Sequence, residues 1–241
     1  MVVDMHEHTG GISWCCKKDA DGIVKEAKAI GLDGFVLTNH YCKAYTKRDG
    51  FDIWLEDYIR EYDLTRKIAE QEGLRVLFGV EVTMEYDRRI HILLYGADAD
   101  FLRTYKELYL LTPKELHDLC RQNGIFVVQA HPYRNGTEPL PLDEVDGYEI
   151  NCHPLYQTTC SEQLLKLQEE TGVLLTCGCD YHADTYRPQG GVVLPDGITD
   201  EKALADYLFT TDRMVLQIHE INTPSPVRCE ISVTRERRAR G

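Results

Sequence analysis

No apolar run in this chain approaches the roughly 18 residues that a membrane-crossing helix needs, so the sequence predicts no membrane partner. Positive charge is also in short supply. Lys and Arg number 27 against 40 Asp and Glu, a formal net charge of −13. A surface of that sign repels polyanions, which disfavours nucleic acid beyond short oligonucleotides. Bound divalent cations could offset part of the charge, so phosphate binding is a question for the local site. Zinc-knuckle spacing is missing among the nine Cys: Cys15-Cys16 and Cys177-x-Cys179 are not Cys-x-x-Cys pairs. An odd thiol count with no N-terminal signal segment predicts a cytoplasmic protein with reduced cysteines, most of them small core residues. No linker, repeat or low-complexity stretch interrupts residues 1–220, and no Lys closes a central apolar run.

What the chain does have is seven short apolar segments, at about 2–6, 34–39, 75–82, 91–96, 124–130, 147–151 and 172–179. Most are rich in Val, Ile, Leu or Phe without strict alternation, as strands covered on both faces are. Helical patterns lie between several of them. Ile23, Val24, Ala27 and Ile30 precede Gly31, and residues 52–72 precede Gly73. Leu116, Leu119 and Cys120 follow the capping box Thr112-Pro113-Lys114-Glu115. Leu164, Leu165 and Leu167 follow a second box, Thr159-Cys160-Ser161-Glu162, and Ala203, Leu204, Tyr207 and Leu208 mark a late helix. Strand alternating with helix implies a parallel sheet, and about seven repeats favour one closed α/β barrel over residues 1–220. Residues 221–241 form a C-terminal extension with Pro224 and Pro226, then Arg235, Arg237, Arg238 and Arg240, and its last residues are expected to be flexible.

The apolar runs end in ionisable residues. The first closes on His6-x-His8, the second on Thr38-Asn39-His40, the third on Gly79-Val80-Glu81 and the fifth on Ala130-His131-Pro132. The sixth is Tyr148-Glu149-Ile150-Asn151-Cys152-His153, and the seventh leads to Asp180-x-His182. The fourth differs in beginning with His91. Strand residues two apart point the same way, so each x-spaced pair aims at one side. C-terminal strand ends form the active-site face of parallel α/β barrels. Imidazole with carboxylate suits Zn²⁺, Mn²⁺ or Fe²⁺. Gathering so many ionisable groups without a cation would be costly, so the set predicts a metal centre.

In order along the chain, Asp4-x-His6-x-His8-Thr9, Thr38-Asn39-His40, Gly79-x-Glu81, Ala130-His131-Pro132-x-Arg134 and Gly178-x-Asp180-x-His182 resemble the motifs of the PHP (polymerase and histidinol phosphatase) superfamily. The resemblance runs from residue 2 to about 190. It implies a distorted (β/α)7 barrel and a centre of two or three divalent ions, Mn, Zn or Fe, that hydrolyses phosphoesters. It implies that His6, His8, Glu81 and Asp180 hold one ion. Glu81 would bridge to a second, shared with His131 and with His91, although some relatives take that ligand from a position matching Asp98. His40 and His182 would serve a third position or contact substrate. Two departures stand out: Asn39 replaces the usual Asp, and Gly10 to Cys16 offer no His or Asp for a third ion, leaving Cys15 or Cys16 as soft substitutes or packing residues.

Two such ions can activate water and clamp phosphoryl oxygens. Asp180, His40 and His182 are then the catalytic set, with His182 or His40 as the acid for the leaving oxygen. Arg134 is expected to fork onto phosphate, with Arg187 and His153 on the same rim. The substrate reading is a small phosphorylated molecule, histidinol phosphate being one candidate among many. Competing readings are an exonuclease-type protein acting on DNA or oligonucleotides, a non-catalytic metal-binding regulatory domain, and an amide or lactone hydrolase. Oligomeric state is not legible.

Overall fold

The computed structural model describes residues 1–46, 50–155, 161–219 and 228–235. The cap residues Thr159 and Cys160, the tail prolines and Arg237, Arg238 and Arg240 lie outside the described residues. In chain order the elements are β1 (Val2–Glu7), α1 (Ala20–Ala29), β2 (Gly34–Leu37), β3 (His40–Tyr41), α2 (Lys43–Thr46), α3 (Phe51–Glu72), β4 (Arg75–Thr83), β5 (His91–Tyr95), α4 (Ala99–Thr104), α5 (Pro113–Gln122), β6 (Phe126–Gln129), β7 (Gly147–Asn151), α6 (Ser161–Thr171), β8 (Leu174–Gly178), β9 (Gly191–Val193), α7 (Glu201–Thr210), β10 (Arg213–His219) and β11 (Arg228–Thr234).

Local chemistry sets the helix ends. Asp19 accepts from Gly22 N at 2.9 Å to start α1. Thr112 and Glu115 close a reciprocal capping box on α5, with Pro113 in its first turn. Gly73 takes φ +77° to end α3, a left-handed conformation that suits glycine. All seven anticipated strands form, and β2, β6, β7 and β8 are buried at every position. Burial on both faces explains their uninterrupted apolar character.

These seven strands, in the order β1-β2-β4-β5-β6-β7-β8, make a nearly closed barrel. The ends of β1 and β8 meet through the parallel bridge Glu7–Tyr181 and the bond from Asp180 N to His6 O at 2.9 Å. Below that seam β1 pairs instead with β9 (Val3 opposite Val192), and β10 and β11 extend the sheet antiparallel. Thus residues 228–234 of the C-terminal extension are an ordered outer strand.

The sheet is not wholly parallel, contrary to the expectation. β5 runs antiparallel to both β4 and β6, with Glu81 opposite Leu93 and Leu94 opposite Val127. The cause is the short connection, residues 84–90. A parallel return needs a crossover of about a dozen residues or more. Consequently the first residue of β5, not its last, lies at the barrel end where the parallel strands finish.

Packing from outside steadies that end. Tyr58 of α3, buried, donates to Asn39 O at 2.7 Å and lies 3.2 Å from Gly79 O, joining the strand end that carries His40 to β4. Gly79 is required by the close approach of β2: a Cβ there would meet Val36 Cγ1 at 2.6 Å and Thr38 Cγ2 at 2.8 Å. No described helix is long and apolar enough to cross a membrane.

Candidate metal centre

The barrel's carboxyl end gathers His6 and His8 from β1, His40 from β3, Glu81 from β4, His91 from the start of β5, His131 after β6 and Asp180 and His182 after β8. Ligand-capable atoms of His6, His8, Glu81 and Asp180 lie within 4.8 Å of one another, as do those of His40, Glu81 and His91, and those of His8, His40 and His182. His131 joins through Nε2, 3.4 Å from Glu81 Oε1. His131 and Asp180 have left-handed backbone, φ +35° and +51°. Such strain in residues with a Cβ gathers at functional sites.

His6 Nδ1 lies 2.9 Å from Glu149 Oε1, so in the neutral ring the hydrogen sits on Nδ1 and Nε2 is bare. Ser13 Oγ donates to Asn39 Oδ1 at 2.8 Å and so must accept from His8 Nδ1 at 3.2 Å, leaving His8 Nε2 bare as well. These two bare nitrogens are 3.1 Å apart. Asp180 Oδ1 lies 3.4 Å from the first and 3.0 Å from the second. Glu81 oxygens lie 3.3 Å and 3.6 Å away from them. With both rings neutral, acceptors face acceptors with no hydrogen between them, and a positive charge, a proton on His6 or a cation, resolves that arrangement. The same holds at His91, whose Nε2 donates to Arg88 O at 3.2 Å and whose Nδ1 then meets Glu81 Oε1 at 2.7 Å. The donor set therefore fits divalent ions.

The electrostatics show the same demand for positive charge among the carboxylates. Burial would raise the carboxyls, yet His91, His40 and His6 hold Glu81 well below the usual range. His6, Arg134 and His8 do the same for Asp180. Burial opposes charge on His6, but Glu149, Asp180 and Glu81 hold it well above the ordinary value. Burial, with His40 and His182 nearby, pushes His8 well below. Burial brings His131 down to about 4 despite Glu81. Low-lying imidazoles are neutral at physiological pH, the form a metal requires.

Other expected residues fall in varied places. Asp98 caps α4 by accepting from Phe101 N at 2.7 Å, beyond the far end of β5, while His91 lies in the cluster. Arg134 sits at the rim, its Nη1 2.5 Å from Asp180 Oδ2, the oxygen turned away from His6 and His8. Arg187 is not on the rim. It is buried, paired with Glu7, 3.9 Å from Asp4 and stacked 4.7 Å over Tyr181. Two buried carboxylates below the cluster claim it. His153 is buried with its ring 6.1 Å from that of His182, and faces Asp184 at 3.5 Å.

Two residues at the site had no role in the sequence reading. Glu149 orients His6 and also accepts from His131 N and Asn151 Nδ2, each at 3.1 Å. A carboxylate inside a buried apolar run was the available signal. Ser13 links His8 to Asn39 and accepts from His40 N at 3.0 Å. Gly178 makes room for this: a Cβ there would lie 2.5 Å from His6 Cβ and 2.6 Å from Glu149 Oε1.

No family model and no curated protein sequence matches the chain. Solved structures do. A two-domain Bacteroides vulgatus protein, described as containing a predicted PHP-like metal-dependent phosphoesterase, superposes with TM-score 0.56 at 20% identity, over 91% of this chain and 59% of that one. The chain has a PHP-type fold. It thus spans under two thirds of that two-domain protein. PsfC from Pseudomonas syringae is similar at 18% identity, TM-score 0.57, over 95% of this chain and 85% of its own. A Bifidobacterium adolescentis protein, whose metal-dependent phosphoesterase activity is itself only a proposal, matches at 18% identity and TM-score 0.52, over 86% and 95%. This PHP-type barrel carries a His, Glu and Asp cluster able to hold divalent metal, at the carboxyl end of its parallel strands.

Proposed function

We propose that this protein is a metal-dependent phosphoesterase that hydrolyses a small phosphorylated molecule. The observation that carries the reading is the facing of two bare imidazole nitrogens, His6 Nε2 and His8 Nε2, with Asp180 and Glu81 around them. In this reading His6, His8, Glu81 and Asp180 hold one ion, and Glu81, His91 and His131 a second. Bound divalent ions supply a more acidic water and charge for phosphoryl oxygens. The chain's own residues do the rest. Glu149 and Ser13 keep His6 and His8 in the ligating tautomer. Arg134, 16% exposed at the rim, holds Asp180 and presents its guanidinium to a phosphate. Burial disfavours charge on His182, but Cys15 and Asp180 raise it to about 9, so it carries a proton for the leaving oxygen. Cys15, Cys16, Cys42, Cys120, Cys152, Cys177 and Cys179 are free thiols, which suits a reducing cytoplasmic setting.

A second reading, in which the phosphate belongs to a nucleotide or short oligonucleotide, draws on one observation. Trp14, 52% exposed, packs on Tyr45 with ring centroids 4.5 Å apart and planes tilted by 31°, beside His40. Aromatic faces of that kind stack nucleobases.

The test is phosphate release from a panel of phosphomonoesters, sugar phosphates and nucleotides. Metal-stripped protein would be reloaded with Mn²⁺ or Zn²⁺ beside Asp180→Asn. Metal-dependent turnover absent from the variant is expected. Equal turnover in the variant, or none from any monoester or diester with metal bound, would remove the reading.

A further inference from the structure

The loop before α1 and one face of α3 enclose a cavity of about 290 Å³, lined in part by Ile12, Trp14, Tyr45, Trp54, Glu61 and Leu64. Tyr45 connects it to the metal centre. Its ring centroid lies 4.5 Å from that of Trp14 and 6.0 Å from that of His40. One aromatic ring therefore separates the cavity from His40. Trp54, Glu61 and Leu64 stand at i, i+7 and i+10 of α3, a spacing that keeps them on one face. The loop comes close to that face at Gly11, where a Cβ would overlap the Glu61 carboxylate.

Two polar atoms in this wall are orphaned. Trp54 is 6% exposed, yet its Nε1 has no hydrogen-bond partner. Tyr41 and Tyr58 hold its ring in place, with centroids 5.2 and 5.3 Å away. Glu61 Oε1 is buried and has no hydrogen-bond partner either. Arg60, its neighbour in sequence, does not reach it: Nη1 of Arg60 donates to Asp57 Oδ1 at 2.6 Å. A buried donor or acceptor left unmade is costly, so each calls for an explanation. The indole N–H only donates and the carboxylate only accepts. A ligand that completes both presents an acceptor to Trp54 and a donor to Glu61. Hydroxyl groups are both at once. An ammonium would satisfy Glu61 and leave Trp54 orphaned, and a plain aromatic ring would satisfy neither.

We propose that this cavity is the leaving-group subsite and that it selects a polyhydroxylated substrate, a sugar or cyclitol phosphate. Trp54 Nε1 donates to one hydroxyl and Glu61 Oε1 accepts from another. Trp14 and Tyr45 offer flat apolar faces to the C–H side of the ring, the usual division of labour in a small-molecule pocket. The catalytic consequence rests on the phosphoesterase reading, whereas the binding of a hydroxylated ring does not. A nucleobase stacked on Trp14 is held by its face, and stacking uses neither orphaned atom. The two substrate readings therefore separate at Trp54 and Glu61.

Trp14 and Trp54 are the chain's two tryptophans, so all of its tryptophan emission reports on this cavity. The full chain is titrated with phosphate-free glucose, ribose and myo-inositol while that emission is followed. At least one should change it saturably, and Glu61→Gln should weaken that binding about tenfold. In turnover with Mn²⁺, glucose 6-phosphate, ribose 5-phosphate and inositol 1-phosphate are compared with phenyl phosphate, phosphoethanolamine and AMP. The kcat/KM ratio of the best sugar or cyclitol phosphate over phenyl phosphate should fall about tenfold in Glu61→Gln and in Trp54→Phe. Trp54 packs in an aromatic cluster; should its variant not fold, the half-buried Glu61 decides. An unchanged ratio in Glu61→Gln would overturn the proposal, as would emission indifferent to all three sugars. So would a preference for phosphoethanolamine, or one for AMP that Trp14→Ala abolishes and Glu61→Gln leaves alone. Failure of the phosphoesterase reading looks different: sugars would still change the emission while no ester turned over.

Discussion

Replacing Glu149 by Gln tests the hydrogen-bond logic of the centre at its least conspicuous point. Glu149 touches none of the atoms that would face a cation. It accepts from His6 Nδ1 through one oxygen, and from His131 N and Asn151 Nδ2 through the other. Every neighbour is a donor, and a carboxylate is acceptor-only. Gln keeps the shape but must turn an NH₂ towards a donor. Against His131 N and Asn151 it leaves buried donors opposed, costing about 1–3 kcal/mol of metal-free stability. Against His6 it forces the hydrogen onto Nε2, the atom that faces His8 and Asp180. Loss of such an orienting carboxylate weakens metal binding about 10–100-fold, which is about 1.4–2.8 kcal/mol. Zinc affinity by chelator competition, with melting of metal-free protein alongside, measures both quantities. A Glu149→Gln protein with wild-type zinc affinity would refute the claim that Glu149 sets the His6 tautomer.

Gly178→Ala should resemble Glu149→Gln in metal affinity, because its Cβ would press between His6 and Glu149; unchanged zinc binding would show that the strands can part without cost. Arg187→Met strips the buried partner of Glu7 and Asp4, and should lower unfolding free energy by about 3–5 kcal/mol in urea titration; a loss below about 1 kcal/mol would mean that Arg187 does not neutralise them. Arg134→Ala should raise KM for phosphoesters more than it lowers metal content; wild-type kinetics would make Arg134 a bystander at the rim. Zinc at about 100 times its Kd should stabilise the wild type by about 2.7 kcal/mol, seen as a rise in melting temperature. His6→Ala, folded in circular dichroism, should lose most of that rise, and an equal rise in both would place the ion elsewhere.

The strands were legible because double-sided burial writes itself as unbroken Val, Ile, Leu and Phe. The helix ends were legible where a side chain does the capping, as Thr112 and Glu115 do. The short β9 and the outer strands β10 and β11 were not, since three residues carry no pattern and outer strands mix exposed with buried positions. The clustered His, Glu and Asp residues were legible because each sits one or two residues from a run's end, where spacing alone fixes direction. Arg187 was misread: nearness in sequence to Asp180 and His182 suggested the rim, but the chain turns it inward beneath them, where Glu7 and Asp4 need a counter-charge.

His91 marks the boundary between the two kinds of information. By itself the sequence determined that the chain forms seven buried strands and that His6, His8, His40, Glu81, His131, Asp180 and His182 stand at their carboxyl ends, because local periodicity and motif spacing are properties of a few neighbouring residues. Only tertiary structure decided that β5 runs backwards, so that His91 at its start meets Glu81 while Asp98 after its end caps a helix at the opposite end of that strand. Only tertiary structure paired Glu149 with His6 across 143 positions. Strand direction and long-range hydrogen-bond partners come from how distant segments pack together, and no window along one segment carries them.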